Sequence, residues 1–122
     1  MIIPIYRRCI EDERVRALLS DGDDIRLYPF SEKDDDVVYP YVVWQGVSGL
    51  PENYLGTRPD VDTYSIQIDV YADTATNATE VAEAIRYAIE THSNITRYGS
   101  MTRDSDSKRY RYSFDVDWML LR

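Results

Sequence analysis

Residues that carry chemistry are scarce in this chain. It has one cysteine, Cys9, and one histidine, His92. A lone thiol excludes an internal disulfide and gives no sign of an oxidising compartment. A lone imidazole beside a lone thiol cannot supply the ligand spacings of a zinc site. The five glycines form no phosphate-cradling loop. No apolar run approaches membrane-spanning length, and Met1-Ile2-Ile3-Pro4 lacks the basic region and long apolar stretch of a secretory leader. These absences predict a soluble intracellular protein.

Positive charge is also in deficit. Lys and Arg number 14 against 22 Asp and Glu, a net charge of −8 at pH 7. The imbalance is uneven, with 13 acidic and 7 basic side chains in residues 1–62 and 9 and 7 in the remainder. Such a surface repels a phosphate backbone, which argues against sequence-specific nucleic-acid binding. Negative charge ordinarily serves solubility; a sharper alternative is a surface that faces DNA and must not adhere to it.

What is present suits one core. A length of 122 residues fits a single domain spanning 1–122, which buries about two-thirds of the surface of its unfolded chain. The hydrophobic fraction of 43% argues against disorder. A helical stretch runs from about Ile5 to Leu19. Asp12 sits where it would cap a second half carrying Val15, Leu18 and Leu19, so the helix is expected in two parts. Ser20-Asp21-Gly22 is expected to stop it. A short strand follows at Ile25–Tyr28, then the charged stretch 31–36, too polar to pack. Tyr41–Val47 reads as a strand, and residues 49–62, with Gly49, Pro51, Gly56 and Pro59, as a long loop. In the next strand Tyr64, Ile66, Ile68 and Val70 alternate with Ser65, Gln67, Asp69 and Tyr71, the period of a half-buried strand.

Asn77 with Glu80 suggests a capping box for an amphipathic helix whose apolar face holds Ala78, Val81, Ala82, Ile85, Ala88 and Ile89. Two strands finish the chain, Ile95–Thr102 and a final one in which Tyr110, Tyr112, Phe114, Val116, Trp118 and Leu120 face one way. The polar stretch Arg103–Arg109 joins them as a hairpin loop. The predicted fold is α+β in the order αβββαββ. It is an antiparallel or mixed sheet of four to five strands with two helices packed on one face.

Enzyme signatures fail in turn. Gly46-Val47-Ser48-Gly49 starts like a nucleophile elbow, but Leu50 stands where the second glycine belongs. His92 falls at the end of the polar helix face and is expected in solvent. Cys9 reads as a buried structural thiol. Asp21/Asp23/Asp24 and Asp34/Asp35/Asp36 lack the ligand order of a calcium loop and read as solvated charge. No catalytic, cofactor-binding or metal-binding residue is predicted, and no cofactor. What remains is surface. Eleven tyrosines and two tryptophans are residues that protein interfaces favour. Trp44 and Trp118 read as core; Tyr54 and Tyr71 are harder to place there.

The ordered segments resemble the tail-completion, or tail-terminator, family of long-tailed bacteriophages and prophages. They are a short N-terminal helix, Ile25-Arg26-Leu27-Tyr28-Pro29, Tyr39-Pro40-Tyr41-Val42-Val43-Trp44, and Val47-Ser48-Gly49-Leu50-Pro51-Glu52-Asn53. Ile66-Gln67-Ile68-Asp69-Val70-Tyr71-Ala72 then leads into an alanine-rich helix, and Tyr112-Ser113-Phe114-Asp115-Val116 follows. The resemblance implies a structural virion protein and not an enzyme. Its members form a ring, hexameric by that analogy, which caps the head-proximal end of the tail tube, stops its growth and supports head–tail joining. The partners so implied are further copies of the chain, the major tail tube protein and a head-completion or neck protein. DNA passes through the lumen without specific binding, and no membrane is involved. The place is the tail–neck region of the virion, after assembly in the host cytoplasm. Partner contacts are expected at Pro51, Glu52, Asn53, Tyr54 and Tyr71, and on the hairpin loop at Arg103, Lys108 and Arg109. Two other readings compete: a small acidic regulatory or inhibitor protein with a basic partner, and a metal-dependent enzyme using the clustered acids.

Overall fold

Two short helices open the chain because one helix would have to pass through Asp12. In the computed structural model, which describes residues 3–29, 38–52, 61–105 and 107–121 (of 47–52, 61–62 and 120–121, the backbone alone), Asp12 is extended. Its carboxylate accepts the Val15 N–H at 3.0 Å, satisfying a donor that a helix start leaves open. This divides α1 (Ile5–Ile10) from α2 (Glu13–Leu19). Each buries one pair at i, i+4, Ile5 with Cys9 and Val15 with Leu19.

The helical stretch stops at Leu19 as expected, but glycine is not what ends it. Helix α2 ends at Leu19, and Ser20 is already extended. Gly22, at φ +65°, instead turns a small antiparallel ribbon, β1 (Ser20–Asp21) with β2 (Asp24–Ile25). The chain then enters β3 (Leu27–Pro29), which lies parallel to β4 (Tyr41–Glu52). Strand β5 (Val61–Ala72) returns antiparallel. After α3 (Ala75–Ile89), β6 (Ser93–Arg103) and β7 (Tyr110–Leu121) complete a mixed five-stranded sheet in the order β3-β4-β5-β7-β6.

Residues 49–62 are shorter of loop than their glycines and prolines suggested. The β4–β5 ladder continues through Pro51↔Asp62 to Glu52↔Val61. Two facts permit it. Strand β5 is held along its other side by β7 out to Val61↔Leu121, and β3 pairs only as far as Trp44. Beyond that point no described strand flanks β4 on that side, the setting in which a strand tolerates proline.

The cap of α3 is also displaced. Thr74, not Asn77, is the N-cap, its hydroxyl accepting the Asn77 N–H at 3.1 Å. Asn77 lies inside the helix, and its Oδ1 is buried without a hydrogen-bond partner. Of the predicted apolar face Ala78, Val81, Ala82, Ile85 and Ile89 are buried and Ala88 is partly buried, and Ala84 is buried as well. Helix α3 packs on β5 and β7, and α1 and α2 pack on α3. Against this layer the sheet presents Val42, Ile66, Ile68, Val70, Phe114, Val116 and Trp118. Each Val, Ile or Phe buried here contributes about 1.5–3 kcal/mol.

At Gly99 the hairpin strands nearly touch. A Cβ there would stand 2.1 Å from the Ser113 carbonyl oxygen. The site lies within the second of two register shifts in β6, at Ile95/Arg97 and Tyr98/Met101, where bulges bend an edge strand.

Candidate interaction site at one end of the sheet

The face of the sheet turned away from the helices is polar by strand alternation, and one acid in it is nearly enclosed. Asp69 is 8% exposed. It accepts Gln67 Nε2 at 3.1 Å, Arg111 at 3.3 Å and the Ser113 hydroxyl. A buried carboxylate with donors on several sides is held in one orientation. Around it Ser65 donates to Asp117 at 2.8 Å, and Arg97 forms an ion pair with Asp115 at 2.8 Å. That ion pair is a surface contact worth little by itself.

Toward the end where β4 begins, the polar ladder gives way to aromatics. Tyr71 lies opposite Tyr41 in the β4–β5 register, and their rings stack at 4.9 Å and 13°. Tyr39 tilts onto Tyr41 at 5.1 Å, and Tyr28 does so at 6.4 Å. Burial raises the hydroxyls of both Tyr41 and Tyr71 above the ordinary value of 10.0. Two guanidinium groups cover this group of rings. Arg109 stands 4.0 Å above the Tyr39 ring while its Nε donates to Asp73 at 2.8 Å. Arg111 lies 6.0 Å from the Tyr71 ring. A third, Arg103, lies 5.8 Å over Tyr110. Cation–π contacts of this kind hold planar groups in register without neutralising their charge. Together they wall an open basin of about 450 Å³, lined chiefly by Tyr39, Tyr41, Tyr71, Arg103, Arg109 and Arg111.

The expected contact residues fall in two places. Tyr71, Arg103 and Arg109 line the basin, and Lys108 lies in the adjoining loop at φ +59°. Pro51 and Glu52 close β4 at the opposite end, paired with Asp62 and Val61. Eleven residue steps of strand separate Tyr41 from Glu52, roughly 35 Å. Asn53 and Tyr54 lie outside the described residues. Tyr39, Tyr41 and Arg111 were not foreseen. Tyr41 belongs with Tyr71 only once the register is known, and no local motif carries that.

The residues weighed for catalysis are placed as follows. Cys9 is fully buried, and burial pushes its thiol up to about 12, so the thiolate needed for reactivity does not form near neutrality. His92 departs from expectation. It lies in the turn after α3, not on the helix, half-buried with its ring stacked 6.1 Å from Trp118 and Nδ1 2.7 Å from the Thr91 hydroxyl. Trp44 is only partly buried, packed against the core, whereas Trp118 is wholly inside it. Among the described residues no three His, Cys, Asp or Glu side chains converge as metal ligands; residues 34–36 lie outside that set. Among the same residues no helix is long and apolar enough to cross a membrane.

Comparison with known proteins identifies the lineage. The sequence profile of the family described as "Tail completion protein gp17" matches residues 3–121. The chain belongs to that family. No curated protein sequence matches it. Among solved structures, the gp17 protein of bacteriophage SPP1 superposes with a TM-score of 0.58 at 13% identity, covering 95% of this chain and 85% of that one. At that identity the superposition speaks for the fold. Family membership makes the chain a structural component of phage tail completion, in association with other tail and neck parts, and not a member of an enzyme class. Its place is the tail-proximal region of the virion.

Proposed function

We propose that copies of this chain form a ring, hexameric in the simplest case, on the head-proximal end of the tail tube. The ring ends tube polymerisation and offers the surface to which a head-completion or neck protein attaches. The observation that carries this reading is the tail-completion match over residues 3–121, nearly the whole chain. The geometry is compatible with it. A ring subunit needs two unlike lateral contacts and two axial ones. The sheet has two ends that differ in build, one carrying the tyrosine and arginine basin and the other the backbone pairing of β4 and β5 at Glu52↔Val61.

DNA crosses such a ring without being gripped. At a net charge of −8 the chain has little to offer phosphates, and a lumen without attraction keeps friction low.

The test is electron microscopy of growing tail tubes with and without the purified chain. Added protein is expected to appear as a cap on one end and to arrest elongation. Tubes that lengthen unchanged, with no density at either end, would remove the reading. Replacing Asn53 and Tyr54 with alanine is expected to leave folding intact and weaken assembly. Loss of folding would assign those positions to the core.

A further inference from the structure

We propose that neighbouring copies join edge to edge through their sheets, residues 93–97 of β6 in one copy pairing antiparallel with residues 45–49 of β4 in the next. The inference rests on the ring reading above and names the lateral contact it requires.

Both edges are open where the pairing is placed. Strand β6 ends the sheet order, with β7 as its neighbour on one side and no described strand on the other. Strand β3 flanks β4 through Pro29↔Trp44, and from Gln45 onward no described strand lies on that side. A strand flanked on one side presents a row of backbone N–H and C=O groups to which a further strand can pair. The helices leave β6 uncovered as well. Helix α3 packs on β5 and β7, and between it and β6 lies an open cleft of about 210 Å³, lined chiefly by Ala82, Arg86, Ile95, Tyr98 and Phe114. Tyr98 is 61% exposed there. On the other edge Gly46 is exposed, with nothing within 4 Å of the place a Cβ would take.

Bulges on edge strands discourage such pairing, and both of these edges carry one. Here the two bulges match. Through the ladders Ser93 stands level with Trp118, Tyr64 and Gly49, and Arg97 with Asp115, Gln67 and Gln45. Between those two levels β5 and β7 each use four residues, Tyr64–Gln67 and Asp115–Trp118. Strand β6 uses five, Ser93–Arg97, and Thr96 is the one without a partner in β7. Strand β4 also uses five, Gln45–Gly49, and Val47 is the one without a partner in β5. Against a regular strand either edge would slip by one residue, and such a slip turns the side chains beyond it to the wrong face. Against each other the two edges stay in step, Ser93 opposite Gly49, Thr96 opposite Gly46 and Arg97 opposite Gln45.

Strand direction selects a second copy as the occupant. From β4 through β5 and β7 to β6 each strand is antiparallel to the one before, so β6 runs opposite to β4. Copies related by rotation about a ring axis face the same way. Side by side they bring β6 of one against β4 of the next antiparallel, with the helices on one side of the joined sheet. The contact joins unlike edges, and every copy offers one of each, so the pairing repeats around a ring. Charge raises no obstacle. In a chain of net charge −8, neither Gln45-Gly46-Val47-Ser48-Gly49 nor Ser93-Asn94-Ile95-Thr96-Arg97 contains an acid. Arg97, the one base among them, is already engaged by Asp115 at 2.8 Å.

The test uses the full chain, alone and with tail tubes, as the double variant G46C/T96C. Both positions are exposed, and the native Cys9 is fully buried, out of reach of a neighbour. Opposed residues of an antiparallel pair have Cα atoms about 4.5–5.5 Å apart, within the span of a disulfide. On oxidation the double variant is expected to give a ladder of covalently joined copies on non-reducing denaturing gels, ending at the size of the ring. Either single variant is expected to give no ladder, and the two mixed to give dimers alone. A second pair in the same register, Q45C/R97C, is expected to repeat the ladder and serves if Gly46→Cys impairs folding. If the double variants form rings or cap tubes and yet give no ladder, the strand contact is wrong while the ring reading stands. If the unaltered chain forms no ring either alone or on tubes, both fall together.

Discussion

At Gly99 the peptide chain leaves no room for a side chain, because the Ser113 carbonyl oxygen would lie 2.1 Å from any Cβ. The obstacle is backbone, which cannot rotate away. Gly99→Ala is therefore expected to cost about 1–3 kcal/mol, measured as a shift in the denaturant midpoint. The tyrosine stack has its own signature at high pH. Burial raises Tyr41 and Tyr71 above 10.0, so the folded chain holds these protons more tightly than the unfolded one. That contribution is complete below pH 10 and declines as pH rises past it. Thermal melts are expected to fall more steeply above this point for the unaltered chain than for Tyr41→Phe. Equal slopes would mean that Tyr41 ionises freely. At this scale the sequence is a partial guide. Cys9 is recognisable as a buried thiol from its place on an apolar helix face. Tyr41 is not recognisable as the partner of Tyr71, because thirty positions and an unknown register separate them.

Elements announce themselves where the signal is local. The division of the first helix follows from Asp12 alone, and the strand at Ile66, Ile68 and Val70 from its alternation. The α3 cap was misplaced because Asn77 and Glu80 satisfy a capping pattern two residues inside the true start, while Thr74 performs the function. The two assignments separate by mutation. Thr74→Ala is expected to lower stability by about 1 kcal/mol and Thr74→Ser by much less. Asn77→Ala, which removes a buried oxygen lacking a partner, is expected to be neutral or stabilising. Larger loss from Asn77→Ala than from Thr74→Ala in chemical denaturation would reverse the assignment. The loop reading fails at residues 49–52 and 61–62 for a different reason, and 53–60 lie outside the described residues. Glycine and proline report local backbone preference, but β4 and β5 are held here by the ladder to β7, which is tertiary.

For the whole molecule, charge decides more than shape. The basic residues of the sheet's polar face are mostly paired with Asp69, Asp73 and Asp115, leaving few of them to meet phosphates. Purified protein is expected to leave duplex DNA unretarded in gel shifts at physiological salt. A shift that fades with added salt would show a basic surface formed on assembly. The sheet's composition was readable and its connectivity was not. Alternation tells which residues face the helices, and nothing local dictates that β7 enters between β5 and β6.

That insertion bears on how the chain emerges from the ribosome. The strand made after all the other strands occupies an interior position, so until residues 110–121 are released β6 has no neighbour and β5 has only β4. A nascent chain halted before Tyr110 therefore exposes two bare strand edges beside a helix that lacks its β7 contacts. Such an intermediate invites aggregation, so a prematurely ended product is expected to be lost before it can fold.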